Sequence, residues 1–390
     1  MKNLHLFSYL LGCCFFIQAC TGNSAQQRHN SVNTDEIAGQ LTDSIHADSV
    51  LYSFVFMGCN RIDWKDTLSK HTNASTANLS QLSRTFNEVC NLNPKPKFFF
   101  FLGDLVLGLS TQNKYLENQL KAWKAVYYDT TFSPIAQSGI SMVAIPGNHE
   151  MLYMDKTANG KREVPFAQAS SIWLKQMQAF MPPGKINYPP PSKGAVNGNQ
   201  LTYSFDYENT HFVLVNTDTY VPEQPQQIGL APANWIAADI QAAKKQPGTK
   251  HVFVLGHKPS YVDDVKEPDE IMDTSVTNVV WPAMQQYQAE AMLSAHSHQY
   301  YRTQPTPNQT YQVIAGNGGS KYTGGLPKNL QFYGYSIVYV MKNGKVLLRS
   351  MGRSVAKKDY LKTVPPSVPT TTRDFVDISW GTTAPTWVVK

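Results

Sequence analysis

Charge is scarce in this chain. Of 390 residues only 16% are Asp, Glu, Lys or Arg, and the excess of 34 basic over 28 acidic residues, a formal +6, is spread along the whole length. No run of Lys or Arg and no basic stripe interleaved with aromatics stands out, so specific nucleic-acid binding is not expected. Cysteine is scarcer still, at five. Cys13, Cys14 and Cys20 fall within the first twenty residues, which leaves Cys59 and Cys90 and excludes a disulfide-dense scaffold. A membrane-spanning run is also missing, because the apolar stretch Leu6 to Ile17 is shorter than the roughly 20 residues a spanning helix needs. What remains is 42% hydrophobic and 12% aromatic, the make-up of a packed body long enough to bury a sizeable core.

The amino end has an export pattern: Lys2, the apolar stretch, then Ile17-Gln18-Ala19-Cys20. It resembles a bacterial lipoprotein signal over residues 1–19, which implies a lipid on Cys20 and a place in the bacterial cell envelope. Residues 20–48, rich in Ser, Thr, Asn, Gln and Asp, suit a flexible tether. Residues 49–355 are expected to form one catalytic body, most simply a monomer, and 356–390 a tail that wraps its surface.

A repeated grammar organises the body. Leu51 to Met57 ends at Gly58; Lys97 to Leu102 precedes Gly103-Asp104. Met142 to Ile145 precedes Pro146-Gly147-Asn148-His149-Glu150, and His251 to Leu255 precedes Gly256-His257. Each apolar run reads as a strand buried on both faces that delivers a polar group just past its carboxyl end. Apolar spacing predicts helices over residues 77–91, 111–127, 166–181 and 232–245. Strands alternating with helices predict an α/β layered fold with its site at the strand ends. Residues 182–200 and 258–275 read as rim loops that shape access.

The polar groups share a chemistry. Asp104 can bridge two cations through its two oxygens, Asn148 offers a neutral carbonyl, and His257, His296 and His298 offer imidazoles suited to Zn, Fe or Mn. Of the other histidines, His211 and His251 lie inside predicted strands and read as structural. Asp206 and Asp218 read as turn-formers.

Gly103-Asp104, Gly147-Asn148-His149-Glu150, Gly256-His257 and Ala295-His296-Ser297-His298, in this order, resemble the calcineurin-like metallophosphoesterases. Tyr203-Ser204-Phe205-Asp206, His211 to Thr217, Trp235 and Gly256-His257-Lys258-Pro259-Ser260-Tyr261 are similar to the purple acid phosphatase branch. Together these cover roughly residues 50–350. The resemblance implies a sandwich of two mixed sheets flanked by helices and a site for two metal ions. It also implies phosphoester hydrolysis by attack of a metal-bound hydroxide on a phosphorylated small molecule, most simply a monoester. Asp104 would bridge, Asn148, His257 and His296 would complete one metal, and His298 would join Asp104 on the other. His149 would face the phosphate and aid the leaving oxygen, with Glu150 orienting it.

Two departures stand out. The family's D-x-H is Cys59-Asn60-Arg61 here, and the tyrosine that purple acid phosphatases place three residues after the bridging Asp is Leu107. Cys59 is therefore read as a thiolate ligand, as in the superfamily's secreted alkaline phosphodiesterases, or as half of a disulfide with Cys90, or as an inert buried residue. Arg61 is read as a phosphate clamp, as a solvated arginine or as a partner of Asp63. Ala295 in place of Gly is acceptable if its φ is negative. A phosphodiesterase, or a non-catalytic ligand-binding lipoprotein, remains the alternative to a phosphatase.

Overall fold

Strands β1 (Val50–Met57), β2 (Phe98–Leu102) and β3 (Ser141–Ile145) run parallel. The structure, a computed structural model, describes residues 45–66, 75–157, 160–191, 200–222, 226–262, 270–322, 328–362 and 367–383, together with 224 and 365. The expected signal, Cys20 and the tether up to residue 44 lie outside the described residues, as do parts of the rim loops and the last seven residues.

The run Phe98 to Phe101 shows why the strands are apolar throughout. Alternate side chains of a strand face opposite ways. Phe98 and Phe100 join Phe54 and Phe56 between two sheets, against Phe205, Phe212 and Phe253; Phe99 and Phe101 face outward beneath helices. Phe54 meets Phe100, Phe212 and Phe253 edge-on at 5.3–5.5 Å. Truncating such a side chain costs about 3–5 kcal/mol.

The outer cover of the first sheet is α1 (Leu79–Cys90), α2 (Asn113–Tyr128) and, beyond the short α3 (Asn148–Met151), α4 (Ala169–Met177). Between α3 and α4 lies a hairpin, β4 (Leu152–Thr157) and β5 (Gly160–Pro165). Next come β6 (Tyr203–Tyr207), β7 (Thr210–Val215), α5 (Ala233–Lys244), β8 (His251–Gly256), α6 (Thr274–Gln286), β9 (Ala291–Ser294), β10 (Tyr300–Thr303) and β11 (Tyr311–Ala315). The last strands are β12 (Phe332–Met341), β13 (Val346–Ser354) and β14 (Thr371–Asp377).

One sheet has the order β14-β13-β12-β1-β2-β3, the other β10-β11-β9-β8-β7-β6, and both mix parallel and antiparallel pairs. Helices α5 and α6 cover the second sheet. This is the expected α/β sandwich of two mixed sheets flanked by helices.

The four expected helices form within a few residues of their predicted bounds. Helix α6 was not expected, because β-branched residues and an internal Pro282 mask its period; Asp273 caps it by accepting from the Ser275 amide at 2.9 Å. The tail also differs from a surface wrap. β14 pairs with β13, and its Asp374 is anchored by Arg302 at 2.7 Å and by the Tyr300 hydroxyl at 2.6 Å, all buried. No helix among the described residues is long and apolar enough to cross a membrane.

Candidate metal centre

Parallel strands end on the same side, so one rim receives Cys59 after β1, Asp104 after β2, Asn148 after β3, His257 after β8 and His296 after β9. The loops there are stitched by backbone bonds from the Cys59 amide to the Gly103 carbonyl and from the Asn60 and Arg61 amides to the Asp104 carbonyl, at 2.9–3.1 Å. The stitching is tight enough to force unusual dihedrals. Cys59 (φ 57°), Asp104 (φ 56°) and His296 (φ 63°) all sit in the left-handed region, a strain of order 1–3 kcal/mol each that surrounding structure must hold. Ala295 is absent from that region, so its Cβ is tolerated. Gly103 is required: at φ 85° an added Cβ would meet His257 Nδ1 and the Gly147 nitrogen at 2.6 Å.

The donors fall into two groups that share Asp104. In one, Asn148 donates from Nδ2 to Glu163 Oε1 at 2.8 Å, which turns its Oδ1 inward. His257 Nδ1 lies 2.7 Å from the Leu102 carbonyl, so the tautomer that donates there leaves Nε2 as a bare lone pair. That Nε2 stands 3.0 Å from Asn148 Oδ1, 3.3 Å from Asp104 Oδ1 and 3.2 Å from His296 Nδ1. Two oxygens and a lone pair converge where a cation would relieve their repulsion.

In the other group Cys59 Sγ, a carboxylate oxygen of Asp104 and a ring nitrogen of His298 all lie within 4.8 Å of one another. His298 is held through Nδ1, 2.8 Å from the Lys321 carbonyl, which leaves Nε2 for the cluster. Burial and then the Asp104 charge push the Cys59 thiol well above its ordinary range. The same proximity that disfavours two neighbouring anions favours a cation beside them. Thiolate, carboxylate and imidazole form a donor set suited to Fe or Zn rather than to Mg or Ca. Both groups thus fit metal ions.

His149, His296 and His298 are built as neutral bases. Burial, with Arg61 next, pushes His149 down to about 3 and His298 down to about 4. Burial and then His257 hold His296 well below the usual range. Asp104 goes the other way: burial alone would raise it, but His149, His257 and Arg61 hold it well below the carboxylate range.

His149 Nδ1 lies 2.5 Å from the Leu107 carbonyl, and its Nε2 lies 4.0 Å from Asp104 Oδ2. Arg61 Nε stands 3.7 Å from that same Oδ2. Both side chains line a cavity of about 220 Å³ together with Asp104, Asn148, His296 and His298.

One expectation, the role of Glu150, needs correction, and two open alternatives, a Cys59–Cys90 disulfide and an Arg61–Asp63 pair, are not what the structure shows. Cys59 and Cys90 are both free thiols. Helix α1 starts at the rim, where the Asn78 amide bonds the Asn60 carbonyl, and its 12 residues carry Cys90 away by about 18 Å, beyond the reach of a disulfide. Glu150 does not orient His149. Its two oxygens accept from the amides of Asp104, Leu105, Val106 and Gly147 at 2.8–3.1 Å, so it braces the bridging-Asp loop, while the Leu107 carbonyl sets the His149 ring. Asp63 pairs with Lys321 at 3.5 Å, leaving Arg61 turned toward Asp104. Sequence reasoning missed Glu163, which lies 15 residues past Asn148 on β5 with no motif to mark it.

A two-sheet α/β sandwich that gathers carboxylate, amide, imidazole and thiol donors on one rim is a framework for binding metal ions. The chain belongs to the calcineurin-like phosphoesterase family, whose sequence profile matches residues 48–300. It is 21% identical over 223 residues to purple acid phosphatase 1 of Ipomoea batatas, covering 56% of this chain and 40% of that relative. The chain thus matches less than half the length of that curated relative.

Among solved structures, PhoD superposes with a TM-score of 0.50 at 11% identity, over 86% of this chain and 73% of that one. A dimetal phosphatase from Danio rerio gives 0.48 at 10%, over 85% and 99%.

Proposed function

We propose that the chain is a phosphomonoesterase with two metal ions, tethered to the bacterial cell envelope through a lipid on Cys20 and acting as a monomer. The observation that carries the reading is the small cavity onto which Arg61 and His149 open together with Asp104, Asn148, His296 and His298, donors drawn from both groups. Asp104, Asn148, His257 and His296 would hold one ion, and Asp104, His298 and Cys59 the other. Bound ions would supply Lewis acidity and a water of lowered pKa.

The chain's own groups do the rest. Arg61, half-buried beside Asp104, presents a cation to a phosphoryl oxygen. His149, with Nδ1 engaged by Leu107, offers Nε2 as a proton acceptor, and passes to the leaving oxygen a proton it first takes up from water in the cavity. Neither a serine nor a thiol nucleophile is required. The likeness to purple acid phosphatase supports the monoester reading.

Cys59 in the D-x-H position favours a phosphodiesterase as the second reading. Protein loaded with Fe, Zn or Mn should hydrolyse p-nitrophenyl phosphate faster than the bis-ester; the reverse order would reject the monoesterase. No turnover, with fewer than two ions bound, would support a non-catalytic binding lipoprotein.

A further inference from the structure

Beside the small cavity lies a larger one of about 630 Å³, a size that seats small organic molecules. The two share a wall: Glu163 lines both, and Glu270 of the small cavity is followed in sequence by Ile271 of the large one. Glu163 is itself held by Asn148, so the wall is continuous with the metal-side donors. The large cavity combines two surfaces. Met154, Ile228 and Ile271 supply apolar side chains, and the β5 strand of the hairpin brings Lys161 and Arg162 to its edge.

Asp273 accepts from Ser275 and Gln227, and Glu163 from Asn148, so both carboxylates are held in place and keep their charge. Arg162 is steadied by Gln226 and reaches Asp155 only at 3.8 Å, with half its side chain exposed. The exposed hairpin edge therefore sets two cations, Lys161 and Arg162, against one neighbouring carboxylate, Asp155, and can meet an anion on a ligand that also presents an apolar face.

We propose that this cavity seats the alcohol portion of the substrate, and that this portion is an organic group carrying a second anion, a carboxylate or another phosphate, which meets Lys161 and Arg162. The inference rests on the phosphomonoesterase reading and adds the substrate class. Lys161 and Arg162 determine specificity and take no part in bond breaking. The small cavity takes the phosphoryl group, and the ester bond lies beside Glu163.

The test compares kcat/KM for 1-naphthyl phosphate with that for a size-matched analogue bearing a carboxylate, in metal-loaded full-length protein. Wild type should prefer the carboxylated ester by about tenfold, the worth of one charged hydrogen bond. Lys161→Ala combined with Arg162→Ala should erase that preference while metal content stays unchanged. Ile271→Trp, which fills the cavity, should depress both naphthyl esters relative to methyl phosphate. Equal rates for the two naphthyl esters in wild type, or a preference that survives the double substitution, would overturn the proposal alone. Absence of monoester turnover in wild type would sink the phosphomonoesterase reading and this inference with it.

Discussion

The two halves of the metal rim are built differently. Around His257 the donors are fixed by side-chain hydrogen bonds: Leu102 sets the ring, Glu163 sets the Asn148 amide, and the donors stand 3.0–3.3 Å apart. Around Cys59 the family's carboxylate and imidazole are gone, and one thiol, Asp104 and His298 remain in a looser group, with ligand atoms up to 4.8 Å apart. The first half is preorganised by its neighbours. The second depends on a strained Cys59 backbone and on a proton leaving sulfur when a cation arrives.

That contrast orders the expected effects of substitution. Asp104→Asn touches both halves and should lower kcat by about 10³-fold or more with loss of both ions, read by steady-state kinetics and elemental analysis. Substitution in a single half should remove a single ion. His257→Gln should empty the half it shares with Asn148 and spare the ion at Cys59, and a variant that loses both would show the halves are not separable. Glu163→Gln keeps the shape but weakens the grip on Asn148, so metal affinity in that half should fall by about 10–100-fold, checked by competition with a chelator.

The smallest effect belongs to the opposite end of the second sheet. There His211 stands between Asp206 at 2.7 Å and Asp239 at 2.9 Å. Burial lowers its pKa, but Asp239 and Asp206 more than offset that, so the folded value is raised, opposite to His149 and His298. A raised folded pKa gives stability that is complete below the ordinary histidine value and lost as pH climbs through the folded one. Melting temperature should therefore decline from pH 6 to pH 9 by more in wild type than in His211→Asn. Equal slopes would mean that His211 does not titrate with folding.

Much of this architecture is legible in the amino-acid sequence. Strands such as Phe98–Leu102 are buried on both faces, so their apolar runs are unbroken, and the group after each run is delivered to one rim by parallel pairing alone. Asp104, Asn148, His149, His257, His296 and His298 were legible for that reason. Helix α6 was not, because Pro282 and β-branched residues break its apolar pattern. Glu163, the Leu107 and Lys321 carbonyls and the true task of Glu150 were not legible either. Their partners are backbone atoms or residues brought near by the hairpin, and neither leaves a signature in residue spacing.

The altered half carries the weight of the account, and it is tested most directly by elemental analysis and activity of the protein isolated from its own host, beside Cys59→Ser. Wild type should hold two ions per chain. The variant should hold one ion and show a loss of activity of about 10²-fold. A variant that keeps both ions and full activity would show that Cys59 holds no metal.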